Sequence, residues 1–119
     1  NERAIRYADV LLLLAESYLR GKQDLPMAIG YLNQIRERAN LNPYSGAQTY
    51  EAVFNDLERQ RAIEFFVEGE RFYDLRRWGL LEKRMQTCNE VRYKQLMTGN
   101  PIPSKELETN PLCTPNEGW

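Results

Sequence analysis

Glu58-Arg-Gln-Arg-Ala-Ile-Glu-Phe-Phe-Val-Glu-Gly-Glu-Arg-Phe-Tyr-Asp-Leu-Arg-Arg-Trp-Gly79 is the most densely patterned stretch of this 119-residue chain. Turning by about 100° per residue, a helix entering this stretch aligns Phe54, Leu57, Phe65 and Phe72 on one stripe. Glu58, Arg61 and Glu68 fall on or beside the same stripe, while Ile63 and Phe66 point elsewhere. Thr49 is placed to cap this helix, and Glu51 sits well against its dipole. The pattern predicts a helix to about Gly69, which acts as a breaker and lacks the company of further glycines that a phosphate loop needs. Apolar side chains on more than one face predict a helix sandwiched between neighbours. Charges on its core-facing side must then be paired, because an uncompensated buried charge costs several kcal/mol or more. Glu58, Arg61, Glu64, Glu68, Arg71, Asp74 and Arg77 alternate in sign at three- and four-residue steps, which reads as a structural ion-pair ladder.

Upstream lies a pair of amphipathic helices. From about Glu2 to Leu19, Ile5, Ala8, Leu12, Ala15 and Leu19 form a stripe widened by Leu11 and Tyr18, and Gly21 is placed to end it. Asp24 is the expected N-cap of the next helix, with Pro26 in its first turn. Its stripe is Ala28, Leu32, Ile35 and Ala39, and Asn42-Pro43 stops it. The short connection predicts antiparallel neighbours. The offsets of Leu12, Ala15, Leu19, Ala28, Leu32 and Ile35 follow the frame of a tetratricopeptide-type hairpin, from which Glu16 departs. One unit is no array, so other helices must cover its exposed sides.

Downstream, Arg71 to Trp78 reads as a short helix ended by Gly79, and Leu80 to Gln86 as a further turn or two. Asn89 to Met97 fits strand or helix. Pro101, Pro103, Pro111 and Pro115 forbid long regular structure beyond Thr98, leaving Ser104 to cap one turn through Leu107. The expected fold is all-α: a tetratricopeptide-like hairpin plus a central helix, with an irregular Pro-rich C-terminal tail. No linker or charge block interrupts residues 1–119, which read as a single domain.

Composition removes several function classes. Lys plus Arg number 16 and Asp plus Glu 17, a net charge of -1 that lacks the basic excess of a duplex nucleic-acid binder. Histidine is absent, which removes His-based triads and most zinc and iron sites. No cofactor or metal is expected. The run Val10 to Ala15 is far shorter than the ~20 residues of a membrane span. Cys88 and Cys113 match no metal or redox spacing, and the sequence leaves open whether they pair. The opening at Asn1, directly into a helical pattern, looks like a cut inside a longer protein.

Three segments together resemble the SusD/RagB family. Arg6-Tyr-Ala-Asp-Val-Leu-Leu-Leu-Leu-Ala-Glu16 is similar to the helix opening its C-terminal region. Glu58 to Gly79 is similar to its central signature. Pro101-Ile-Pro103, Glu106, Asn110-Pro111 and Asn116-Glu-Gly-Trp119 are similar to its tail, although Pro115 and Glu117 replace a usual Gln and Pro. The resemblance implies a large helical lipoprotein on the outward face of the outer membrane. It implies capture of oligosaccharides or other nutrients and a SusC-like TonB-dependent transporter as partner. A lipid anchor would lie in an N-terminal region outside this chain, making these residues a C-terminal fragment that serves mainly as scaffold.

Two other readings compete. The hairpin alone would suit an intracellular tetratricopeptide-type adaptor that binds peptides. Glu64 and Glu68 could serve as the two carboxylates of a glycoside hydrolase, which stand ~5–9.5 Å apart across a sugar-sized cleft. Both lie on one convex helix, so no catalytic residue is expected. Trp78 closes the most patterned segment and reads as a packing residue. Trp119, Tyr44, Tyr50 and Tyr93 are freer to stack on a ligand, but none is assigned to one. Pro101-Ile-Pro103 reads as a rigid extended segment pinned to the helices. The locally basic stretch of Arg76, Arg77, Lys83, Arg84, Arg92 and Lys94 reads as a solvated face.

Overall fold

A computed structural model describes residues 5–86 and 101–115. These residues form α-helices and one π turn, with no strand among them. The helices are α1 (Tyr7–Ser17), α2 (Leu25–Arg38), α3 (Tyr50–Glu64), α4 (Glu70–Arg77), α5 (Leu81–Met85) and α6 (Ser104–Thr109). The π turn, Tyr18–Lys22, continues α1. The chain divides into two compact units, Asn1–Arg71 and Phe72–Trp119, with the division inside α4.

The first unit is built on the hairpin of α1 and α2. Ala15 and Ala28, both fully buried, keep side-chain bulk low where these helices pack, and Leu12, Leu19, Leu32 and Ile35 fill the space around them. Val53, Leu57 and Phe65 extend the same core onto α3. The expected caps form: the Asp24 carboxylate accepts from the Met27 N–H, and the Thr49 hydroxyl oxygen from the Ala52 N–H. Ile5 departs from the expected stripe. It precedes the helix and is exposed.

The ends of the elements carry the main corrections. Gly21 does not terminate the first helix; it lies inside the π turn, and Gln23 takes the left-handed conformation with φ 54°. The Tyr18 carbonyl accepts from both Gln23 and Asp24, so the widened turn itself closes the helix. The second helix stops at Arg38, before Asn42-Pro43. Asn40 is left-handed with φ 55°, Leu41 N–H donates to the Arg36 carbonyl at 2.8 Å, and Asn40 N–H to that of Glu37 at 2.9 Å. That is a Schellman end with asparagine in the place of glycine, and it leaves Ala39 exposed.

The central helix also ends early. Phe65 leaves helical geometry at φ -105° and ψ 26°, Val67 is left-handed at φ 66°, and Gly69 at φ 87°. This turn swings the Phe65 ring into the core and throws Phe66 and Val67 outward, to 78% and 90% exposure. Ile63 is exposed as well, so among the described residues that side of α3 is not sandwiched.

In the second unit, α4 ends as the sequence predicts. Gly79 is left-handed at φ 70°, with Leu80 N–H donating to the Leu75 carbonyl and Gly79 N–H to that of Arg76. Leu75 and Leu81 are buried. Ser104 is the first residue of α6 rather than its cap; the Pro103 carbonyl accepts from Glu106 and Leu107. Pro103 is extended, with φ -54° and ψ 135°. Asn89 to Met97 lies outside the described residues. No helix among those described is long and apolar enough to cross a membrane.

A β-branched residue with left-handed backbone and an exposed side chain gains nothing from packing to offset its strain. Val67→Asn should raise stability by ~1 kcal/mol, because left-handed backbone costs an ordinary L-residue that much and asparagine tolerates it. The check is the shift in thermal melting. Leu12→Ala should cost about 2–5 kcal/mol, since it empties a fully buried leucine site; a melting temperature unchanged by it would contradict the core assignment.

Candidate functional site

Charged side chains converge where the start of α1, the end of α2 and the end of α3 meet. Arg6 sits at the N-cap position of α1 in extended conformation, φ -109° and ψ 153°. Its guanidinium forks onto Glu68, with Nε 2.9 Å from Oε2 and Nη2 2.8 Å from Oε1. The same group donates from Nη1 to Glu64 Oε1 at 2.8 Å and from Nη2 to the Glu64 carbonyl at 2.9 Å. Arg38, in the last turn of α2, donates to the other Glu64 oxygen. One carboxylate thus ties all three helices together.

Beneath this cluster lies Phe65. The guanidinium carbons of Arg6 and Arg61 each lie 4.9 Å from the centroid of its ring. Arg61 is 3% exposed and pairs with Asp9 of α1 at 2.8 Å. Contacts of this kind contribute about 0.5–2 kcal/mol each, more when desolvated. On α3, Asp56 pairs with Arg36 of α2 at 3.3 Å.

The remaining members of the expected ladder are also engaged. Glu58 accepts from Arg71 Nη2 at 2.7 Å. Asp74, almost fully buried, accepts from its neighbour Arg77 through Nε at 3.0 Å and Nη2 at 2.8 Å. The structure therefore brings Glu58 to Arg71 and Asp74 to Arg77, and joins Arg61, Glu64 and Glu68 to residues of the hairpin. Arg6, Asp9, Arg36 and Arg38 are members of this network that the local spacing of charges did not single out. Asp9 carries one signal: it and Glu16 are the only charges in an otherwise largely apolar helix.

Glu64 is tuned by two opposed effects. Burial pushes its carboxyl up, but hydrogen bonds from Arg38 and Arg6 outweigh that and hold it below the usual carboxylate range. The Arg6 guanidinium is in turn pushed further up by its bonds to Glu68 and Glu64. A glycosidase acid must instead keep its proton near neutral pH. Glu64 and Glu68 share one guanidinium, and at Glu64 the bonds from Arg6 and Arg38 favour the anion.

The aromatic candidates are placed differently from one another. Tyr44 packs against the core, its hydroxyl donates to the Ala47 carbonyl at 2.8 Å, and its N–H donates to Asn33 Oδ1 at 2.7 Å. Burial pushes its phenol up. A Cβ at Gly46 would lie 2.6 Å from that phenol oxygen, so a larger residue there would have to displace the end of the Tyr44 side chain. Tyr50 stacks on Phe54 with centroids 5.9 Å apart. Arg77 lies 4.7 Å over the half-buried Trp78 ring. Tyr93, Trp119, Arg92, Lys94 and Cys88 lie outside the described residues; Cys113 is half-buried.

Two concavities flank the network. The larger, about 680 Å³, is lined by Ile5, Tyr7, Leu11 and Ile35 together with polar Gln34, Glu37 and Arg38. The smaller, about 200 Å³, lies between the end of α2 and α3, with Asp56, Arg59 and Glu64 among its walls. Among the described residues no cluster of three or more acidic or cysteine side chains could hold a metal ion.

Because the folded value of Glu64 is depressed, its contribution is present above the unfolded carboxylate value near pH 4.5 and lost as pH falls through the lower folded value. Glu64→Gln should therefore melt well below the wild type at pH 7, and the gap should close in acid. Melting curves from pH 7 down to about pH 3 test this; a gap that stays constant would contradict the ionic role.

The SusD family model matches residues 1–119. A solved SusD superfamily protein from Bacteroides vulgatus is 66% identical, with a TM-score of 0.83, over 100% of this chain and 28% of its own. SusD-like protein P2 of Formosa agariphila is 29% identical over 98% of this chain and 25% of its own length. Starch-binding protein SusD of Bacteroides thetaiotaomicron is 27% identical over 96% of this chain and 21% of its own. The chain thus spans a quarter or less of the length of these two curated relatives. With its whole length matched, the chain belongs to the SusD family.

Proposed function

We propose that these 119 residues are the C-terminal helical region of an outer-membrane nutrient-capture protein. The whole protein holds a glycan non-covalently at the mouth of a SusC-like TonB-dependent transporter and releases it inward. It faces outward and is lipid-anchored through a region N-terminal to these residues. The observation that carries this reading is the match of the full chain to a SusD superfamily structure at 66% identity. The starch-binding relative supports a carbohydrate ligand.

The share of this region is scaffolding. The α1–α2 pair acts as a tetratricopeptide-like unit, and the alternating charges of the central segment serve as its ion-pair ladder, fixing helix register rather than reacting. Arginine forks suit that role because they are directional even where they add little net stability. The binding is non-catalytic: both members of the acid pair considered above, Glu64 and Glu68, are engaged by the Arg6 guanidinium.

The test uses the full-length polypeptide and affinity electrophoresis in gels containing defined polysaccharides. The wild type should be retarded by at least one glycan without releasing reducing sugar. Glu64→Gln combined with Glu68→Gln should leave that retardation intact and lower the melting temperature. Sugar release by the wild type that the double variant abolishes would replace the binding reading with hydrolysis.

A further inference from the structure

Helix α3 carries Asp56, Arg59, Gln60 and Ile63 at three- and four-residue steps, which places them on one face. These side chains line the concavity of about 200 Å³ beside the end of α2, opposite Ile35 and Arg36. Hydrogen bonding there differs from that around Glu64, whose two carboxylate oxygens are bonded by Arg6 and Arg38. The Asp56 side chain is only 14% exposed, yet it accepts from Arg36 Nη1 at 3.3 and 3.5 Å and from Gln60 Nε2 at 3.5 Å. All three lie beyond the ~2.7–3.2 Å of a well-formed N–H···O bond, and Asp56 has no other partner among the described residues. Arg36 makes its short bond elsewhere, from Nε to the Asn42 carbonyl at 2.7 Å. Gln60 is 8% exposed, and the long bond to Asp56 is the one hydrogen bond of its amide among the described residues. Arg59 is exposed and has no ion-pair partner among them. Buried amides and carboxylates are ordinarily satisfied, so this concavity holds hydrogen-bonding capacity that the fold leaves unspent.

We infer that the concavity between the end of α2 and α3 is a subsite for one neutral sugar unit, beside the scaffolding role of the same helices. The ligand class follows from charge, size and hydrogen-bonding type. Both signs of charge line the walls: an anion would meet Asp56 and Glu64, and a cation would meet Arg36 and Arg59. A neutral polyol meets neither penalty. A hydroxyl both donates and accepts, so neighbouring sugar hydroxyls can donate to the Asp56 carboxylate and accept from Arg59 or the Gln60 amide. Ile35 and Ile63 supply apolar contact for the C–H face of a ring. A volume of about 200 Å³ far exceeds the ~30 Å³ share of one water molecule and falls short of the ~300–1,000 Å³ of pockets for larger ligands. It therefore suits one ring rather than a chain. The inference rests on the reading of the whole protein as a glycan binder, and it adds a place and a preference for uncharged sugars.

The experiment titrates the full-length polypeptide with glucose, galactose, mannose, glucuronate and glucosamine, and follows binding by ligand-observed NMR. At least one neutral hexose should bind. Arg59→Ala should weaken that binding about tenfold, the scale of one charge-assisted hydrogen bond. Ala39→Phe, which adds a ring to an exposed residue lining the concavity, should abolish it. Both sites are exposed, and circular dichroism checks that each variant keeps its fold and melting temperature. Hexose binding equal in the wild type and both folded variants, or no hexose binding at all, would overturn the subsite. Tighter binding of glucuronate or glucosamine than of every neutral hexose, lost in the same variants, would overturn the ligand class. Retardation of the wild type in polysaccharide gels is scored separately: if it persists while the hexose test fails, the glycan reading stands and this inference falls. If no polysaccharide retards the wild type, both fall together.

Discussion

The ring of Phe65, in contact with two guanidiniums, is the constraint on which the first unit depends. Its flanking arginines come from different places: Arg6 precedes α1, and Arg61 lies one turn back on α3. Each arginine is aimed by carboxylates, Arg61 by Asp9 and Arg6 by Glu64 and Glu68. Placing the ring there requires α3 to end at Glu64, and the turn through Val67 and Gly69 follows from that ending. The leucine and alanine core of α1 and α2 supplies most of the apolar burial, but it is non-directional. The clasp is directional, and it decides which turn of α3 meets which turn of α1.

That arrangement bears on chemistry. A carboxylate gains catalytic value when its surroundings let it hold and release a proton near neutral pH. Every carboxylate of the clasp is instead pinned by a guanidinium, and the balance of burial and hydrogen bonding at Glu64 falls on the ionised side. Tyr44 and Trp78 are likewise spent on the fold, one inside its own loop beside Gly46 and the other under Arg77. Tyr44 and Trp78, both suited by type to stack against a sugar, are thus among the residues the fold has already engaged.

The helices were legible in the sequence where the signal is local. The stripes through Leu12, Leu32 and Leu57 follow helical spacing, and the caps at Asp24 and Thr49 and the stop at Gly79 are each set by one side chain or its absence. The missed ends share a cause. Gln23, Asn40 and Val67 adopt left-handed backbone without being glycine, so composition gave no warning. The charge network was legible as a need for pairing but not as a list of partners. Alternation in sign favours neighbours three or four apart, and Asp74 with Arg77 is such a pair. Arg6 reaches Glu64 across 58 positions and Arg61 reaches Asp9 across 52, and no local rule spans those separations.

The first unit has an ordinary apolar core, but a few residues depart from the usual polarity of a small globule. Arg61 and Glu58 are buried, while Tyr7, Ile63, Phe66 and Val67 are largely exposed. Scattered exposed apolar residues need no explanation, but contiguous ones mark contact surfaces. Two such places occur here, the outer side of α1 and the turn after α3, and the second is also strained at Val67. Strain and exposed apolar surface both raise the free energy of the unit taken by itself, and both are relieved by covering. The interior has the opposite character. Its ion pairs add register more than stability, and Arg6 tolerates little displacement because its guanidinium serves both Glu64 and Glu68. Directional pairing inside and apolar patches outside thus give this unit a fixed register and an adhesive surface at once.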